Sequence, residues 1–168
     1  MKYYHGSKKG DLKELVTSHN EDELIYVTNS RLVALTYAVR GYPNLFTTLK
    51  SGQEAFLEVV PGLFEKMFKG KPAYIYILEE KNYNEVNQSN KCGHSNCFSI
   101  NENVRIIDKE YIEDAYQEFL KYIEREEFKI VKSKDIPDRE HLVEMIIRKA
   151  PEIDLSNKDN YLQLIKNK

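Results

Sequence analysis

The chain has no tryptophan, only two cysteines, no long apolar run and no marked excess of charge of either sign. Each shortage excludes something. No apolar stretch approaches the roughly 20 residues that a membrane-spanning helix needs. The 25 basic and 27 acidic residues give a formal net charge of −2, so the overall basic excess of domains that bind phosphate backbones is missing and nucleic acid is an unlikely partner. Two cysteines suit a reducing compartment better than a disulfide scaffold. The N-terminus has no charged region followed by an apolar stretch, so no signal peptide is expected. Together these point to a cytoplasmic protein with no membrane partner.

What is present is enough for a core. The 168 residues suit one domain with a small appended piece, and 41% of them are apolar. We expect a first unit over 1–132 and a C-terminal helical extension packed on it over 133–168. The 12 tyrosines suit a half-buried sheet.

Strand patterns fall at 2–7, 23–28, 46–49, 55–60, 73–78, 97–100, 103–107 and 128–131. The periodicity predicts helices over 31–40 and 63–68, a long amphipathic helix over 109–126 capped by Asp108, and another from about Asp138 to Pro151. Asn29 or Ser30 caps the first helix and Gly41 closes it. A short helix is expected over 156–168. Residues 18–23 and 81–96 read as loops, the second of a length that is often functional.

Two early segments carry chemistry. Tyr4-His5-Gly6-Ser7 and Ile25-Tyr26-Val27-Thr28 each present a polar or aromatic group from a strand, and Tyr37 follows on the next helix. His5 can donate to or accept from a ribose hydroxyl. Gly6 lets a ligand approach the backbone. Tyr26 and Tyr37, 11 positions apart, can sandwich a flat cationic ring. A histidine, an aromatic strand residue and a helix tyrosine each have an ordinary structural role when taken singly; the joint spacing carries the functional reading.

These residues resemble the ADP-ribosyltransferase superfamily of the histidine–tyrosine–glutamate type, which includes diphtheria-toxin-like toxins and poly-ADP-ribose polymerases. His5-Gly6-Ser7 matches the first-strand motif, Ile25-Tyr26-Val27-Thr28 the second, and Tyr37 the later tyrosine. The resemblance implies an α+β fold with a split antiparallel sheet, flanking helices and NAD as a substrate. It also implies that His5 meets the adenosine-side ribose, that the Gly6 backbone holds the nicotinamide amide, and that Tyr26 and Tyr37 flank the nicotinamide.

The family's glutamate, which steadies the cationic transition state, falls at Cys97 here, or at Asn96 one residue earlier. Glu102 is the substitute the sequence offers, with Glu79 and Glu54 behind it. Ala34 stands where the polymerases carry a serine. The expected function is therefore mono-ADP-ribosyl transfer from NAD. The alternatives are a non-catalytic nucleotide-binding or protein-interaction module on the same scaffold, and an RNA 2′-phosphotransferase-like enzyme, whose basic cluster is not visible.

Cys92-Gly93-His94-Ser95-Asn96-Cys97 places two thiols and an imidazole close together. The spacing matches no standard zinc knuckle and no second cysteine pair exists, so it reads as a loop with a free thiol, and no metal is expected. Lys66, Lys69 and Lys71 with Phe64 and Phe68 read as a solvated amphipathic turn.

Overall fold

The structure, a computed structural model, describes residues 1–17, 23–41, 44–86 and 94–149, with the backbone alone at Lys149. The described residues form an α+β fold with a large antiparallel sheet. In chain order the elements are β1 (Tyr3–Ser7), β2 (Glu14–Leu15), β3 (Ile25–Thr28), α1 (Arg31–Val39), β4 (Phe46–Thr48), β5 (Glu54–Glu58), α2 (Leu63–Phe68) and β6 (Ala73–Leu78). They continue with β7 (Asn84–Glu85), β8 (Cys97–Ile100), β9 (Val104–Ile112), α3 (Ala115–Glu124), β10 (Phe128–Lys132), a 3-10 turn (Ser133–Asp135) and α4 (Arg139–Lys149).

Seven strands form the larger sheet in the order β2-β9-β6-β1-β3-β8-β7, and three form a second sheet in the order β10-β5-β4. Every pairing in the larger sheet is antiparallel. In the smaller sheet β4 runs antiparallel to β5, while β10 runs parallel to it.

The strand period of two explains how the sheet divides its side chains. Gly6 backs on to α1, where a Cβ would lie 1.8 Å from the carbonyl oxygen of Ala34. The missing side chain is thus used to seat the helix on β1. On alternate positions, Tyr3, Tyr74 and Tyr76 join Leu15, Ile25, Val27 and Val104 in a cluster of their own.

The main core lies between α1, the second sheet, α2 and α3. It holds six of the seven phenylalanines, at 46, 56, 64, 68, 119 and 128. Rings at tilted and edge-on geometry, such as Phe56 and Phe64 with centroids 5.0 Å apart, pack against one another there. Phe64 and Phe68 point into this core while Lys69 pairs outward with Glu65 at 2.7 Å, so the stretch from Phe64 to Lys71 is the solvated turn expected. α4 sends Val143 and Ile146 into the same core.

Three expectations need correction. Asp108 does not cap a helix: β9 runs on to Ile112, paired with β6 from Ala73↔Ile112 to Leu78↔Ile106. The ladder offered by β6 claims Tyr111 and Ile112, whose apolar spacing suits either element. The helix starts six residues later, where Asp114 Oδ1 accepts from the backbone N–H of Tyr116 at 2.9 Å and of Gln117 at 3.3 Å. Gly41 does not close α1 in a left-handed turn: the helix ends at Val39, and Arg40 leaves it with φ −57° and ψ 141°. Cys97 is not a free thiol, since it is disulfide-bonded, and a bonded sulfur supplies neither a thiolate nor a metal ligand.

Ser30 is the cap of α1, its hydroxyl accepting from Val33 N–H at 3.2 Å. Residues 18–22 of the loop expected over 18–23, Cys92 and the helix at 156–168 lie outside the described residues.

Candidate functional site

His5 sits where two strands part. β1 and β3 share one backbone pair, Tyr4↔Thr28, and beyond it the His5 imidazole spans the gap, with Nδ1 3.2 Å from the carbonyl oxygen of Tyr26. A carbonyl only accepts, so Nδ1 carries the proton and Nε2 is left with a lone pair. Burial pushes the His5 pKa below its ordinary value; the hydrogen bond to Tyr26 works the other way, and the positive charge of Arg40 lowers it further. The half-buried ring is therefore neutral near pH 7. It presents an acceptor to any ligand hydroxyl that reaches it.

Tyr37 is placed by the last turn of α1. Its hydroxyl is buried and has no hydrogen-bond partner among the described residues. Its pKa is pushed up to about 12 by burial, with Arg40 pulling it down and Glu54 pushing it up. The hydroxyl stays protonated and is a donor in want of an acceptor. The Arg40 guanidinium lies over one face of the ring, 4.8 Å from its centroid, and the His94 ring meets Tyr37 edge-on at 5.5 Å.

Behind Tyr37 runs a closed polar network. His94 is fully buried. Its Nδ1 lies 2.6 Å from Glu54 Oε2 and its Nε2 lies 3.4 Å from Thr36 Oγ1. Thr36 has already spent its own proton on the Val33 carbonyl at 2.7 Å. Both ring nitrogens therefore face oxygen atoms that can accept. The other oxygen of Glu54 accepts from Thr48 Oγ1 at 2.6 Å, and Thr48 in turn accepts from the Ser95 backbone N–H at 3.0 Å. One buried pair thus ties α1, both strands of the β4–β5 hairpin and the approach to β8 together.

The residues anticipated from sequence fall into two groups. His5, Gly6, Tyr26 and Tyr37 gather around the β1–β3 parting and the end of α1. Ser7 turns to the chain that follows, its Oγ accepting from Lys9 N–H at 3.0 Å.

Glu102 is not brought to this group. It is exposed in the turn after Ile100, the residue paired with the start of β3, and its carboxylate lies 3.6 Å from Lys81 Nζ. Glu79 also sits at that corner, where it accepts from Arg105 N–H at 3.0 Å; this bond and its contacts with Lys81 hold its pKa below the usual range. Glu54 is the carboxylate whose charge reaches Tyr37.

No motif in the sequence connects His94 with Glu54. Their contact links residues 40 positions apart, so no local period could reveal it. A groove of about 650 Å³ lies elsewhere, along β10 and the end of α3, lined by Ser51, Gln53, Ile123 and Lys129 among others. It includes none of these residues.

No helix among the described residues is long and apolar enough to cross a membrane. No protein-family model, curated protein or solved structure matches the chain.

Proposed function

We propose that the chain binds NAD⁺ and belongs functionally with the ADP-ribosyl-transferring proteins that its first 40 residues resemble. The observation that carries this reading is the buried, unpartnered Tyr37 hydroxyl. The positive charge of Arg40 acts on both this side chain and His5. An orphaned buried donor costs about 1–3 kcal/mol, a cost that a ligand acceptor would remove. A ribose hydroxyl donating to His5 Nε2 and a nicotinamide ring beside Tyr26 and Tyr37 suit the chemistry of the three side chains.

In transfer, the C1′–N bond of NAD⁺ breaks and nicotinamide leaves with the bonding pair. An oxygen or nitrogen of the acceptor then bonds to C1′ and gives up its proton. A carboxylate beside the developing cation lowers that barrier, and Glu54 is the one this reading assigns. A second reading, NAD⁺ binding without transfer, is favoured by one fact: both oxygens of Glu54 are already engaged, by His94 and Thr48.

The test is a calorimetric NAD⁺ titration with free nicotinamide assayed in the same samples. Binding with nicotinamide release is expected of a transferase or glycohydrolase. Binding without release would leave the second reading. An absence of binding would sink both.

A further inference from the structure

The charged clusters of this molecule are mostly closed sets. Arg31 reaches Glu110 and Glu118, Lys132 reaches Glu58 at 2.9 Å, and Lys81 lies 3.3 Å from Glu79. Arg40 is different. It is exposed at the end of α1 and makes no ion pair among the described residues. Its guanidinium lies over the Tyr37 ring, 4.8 Å from the centroid, and the Tyr37 hydroxyl at the edge of that ring has no acceptor among the described residues. A free cation and a free donor thus meet on one side chain.

We propose that Arg40 and the Tyr37 hydroxyl form an anion-binding corner that takes a phosphate oxygen of a nucleotide ligand. Neutral acceptors would satisfy the hydroxyl alone and leave the guanidinium in water. A phosphate satisfies both, with the planar fork of Arg40 taking one or two oxygens and Tyr37 donating to another. His5 fits the same ligand from the side: with Nδ1–H given to Tyr26, its Nε2 can only accept, so it suits a sugar hydroxyl and not the anion. The corner therefore assigns the phosphate to the α1 side and the sugar to the β1 side. Because Arg40 covers one face of Tyr37, a planar group has only the other face on which to stack. This assignment rests on the nucleotide-binding reading above and deepens it.

The test uses the whole chain in calorimetric titrations with three probes: NAD⁺, the phosphate-free nicotinamide riboside, and inorganic pyrophosphate. Arg40→Ala is expected to weaken NAD⁺ and pyrophosphate by about tenfold or more, as the loss of a charge-assisted contact does. It should leave nicotinamide riboside within about twofold of wild type, because that probe carries nothing for the guanidinium. Arg40→Lys should recover part of the loss, since it keeps the charge but not the fork. Thermal melting confirms that each variant is folded, and Arg40→Gln replaces the alanine variant if that one is not.

NAD⁺ affinity unchanged in a folded Arg40→Ala protein overturns the corner. So does an equal loss for nicotinamide riboside, which would mean that Arg40 only steadies the Tyr37 ring. If wild type binds no NAD⁺, the proposed function fails while the corner is judged on pyrophosphate: binding that Arg40→Ala removes supports it, and no binding overturns it.

Discussion

The two ends of α1 carry the same residue and use it in opposite ways. At the start, Arg31 is closed in: its guanidinium holds Glu110, Glu118 and the hydroxyl of Tyr122 at 2.7–2.8 Å. Burial works against its charge, yet these hydrogen bonds hold its pKa well above even the usual arginine value. At the finish, Arg40 has an aromatic face beneath it and, among the described residues, no carboxylate partner, next to a tyrosine hydroxyl with no hydrogen-bond partner among them. One end joins β9 and α3 to the helix. The other leaves unspent hydrogen-bonding capacity on the molecule. Folded proteins rarely leave a buried donor unspent, so the second end is where function is to be sought and the first is where stability is.

The largest effect should come from breaking the closed end. Arg31→Ala removes the partner of two carboxylates, one of them on a side chain only 14% exposed. Leaving Glu110 without Arg31, and Glu118 with Lys121 alone, should cost about 2–3 kcal/mol, below the range for a fully buried pair because water still reaches this one. Urea unfolding should show the midpoint falling sharply, with NAD⁺ affinity of the remaining folded protein unchanged. Arg40→Ala should move the midpoint by no more than about 0.5 kcal/mol. Equal losses at the two ends would erase the distinction.

A smaller effect lies in the pH dependence at the open end. The folded-state pKa of His5 is lowered from its ordinary 6.5, chiefly by burial. A depressed pKa means that the unfolded chain binds the proton more tightly, so stability is intact above the unfolded value and is lost as pH falls through the folded one. Urea midpoints measured from about pH 7.5 down to about pH 5 should fall more steeply for wild type than for His5→Asn. That variant keeps a donor for the Tyr26 carbonyl but does not titrate. Parallel curves would show that His5 is not desolvated in the way its place between β1 and β3 requires.

How much of this could be read from the residues alone follows physical range. His5, Tyr26 and Tyr37 announce themselves because the strand and helix periods around them are short and clean, and the elements appear as expected at Tyr3–Ser7, Ile25–Thr28 and Arg31–Val39. The start of α3 was misplaced because Asp108 and Asp114 are equally able caps, and only pairing with β6 decides between them. The Glu54–His94 pair was out of reach for a different reason. The Cys-Gly-His-Ser-Asn-Cys run reads as a loop with a free thiol, whereas His94 is buried against a carboxylate from the other sheet and Cys97 is bonded. The preference of a buried imidazole for a particular partner is tertiary information, and Glu54 looks like any other polar residue at the edge of a hairpin.

The smallest expected effect is also the one that best separates the two ends, because its sign is unusual. Tyr37→Phe removes one oxygen that has no partner among the described residues. A buried donor left unmet is a cost borne by the native state, so deleting it should leave stability unchanged or raise it by about 0.5–1 kcal/mol, while most changes at such positions lower it. The same deletion should weaken NAD⁺ and pyrophosphate binding, since the proposed contact exists only in the bound state. A protein that becomes slightly more stable and a poorer binder has lost a group kept for its ligand. If Tyr37→Phe is instead less stable by about 1 kcal/mol, the hydroxyl meets an acceptor in the folded chain after all. The open end of α1 would then be as closed as the end held by Arg31.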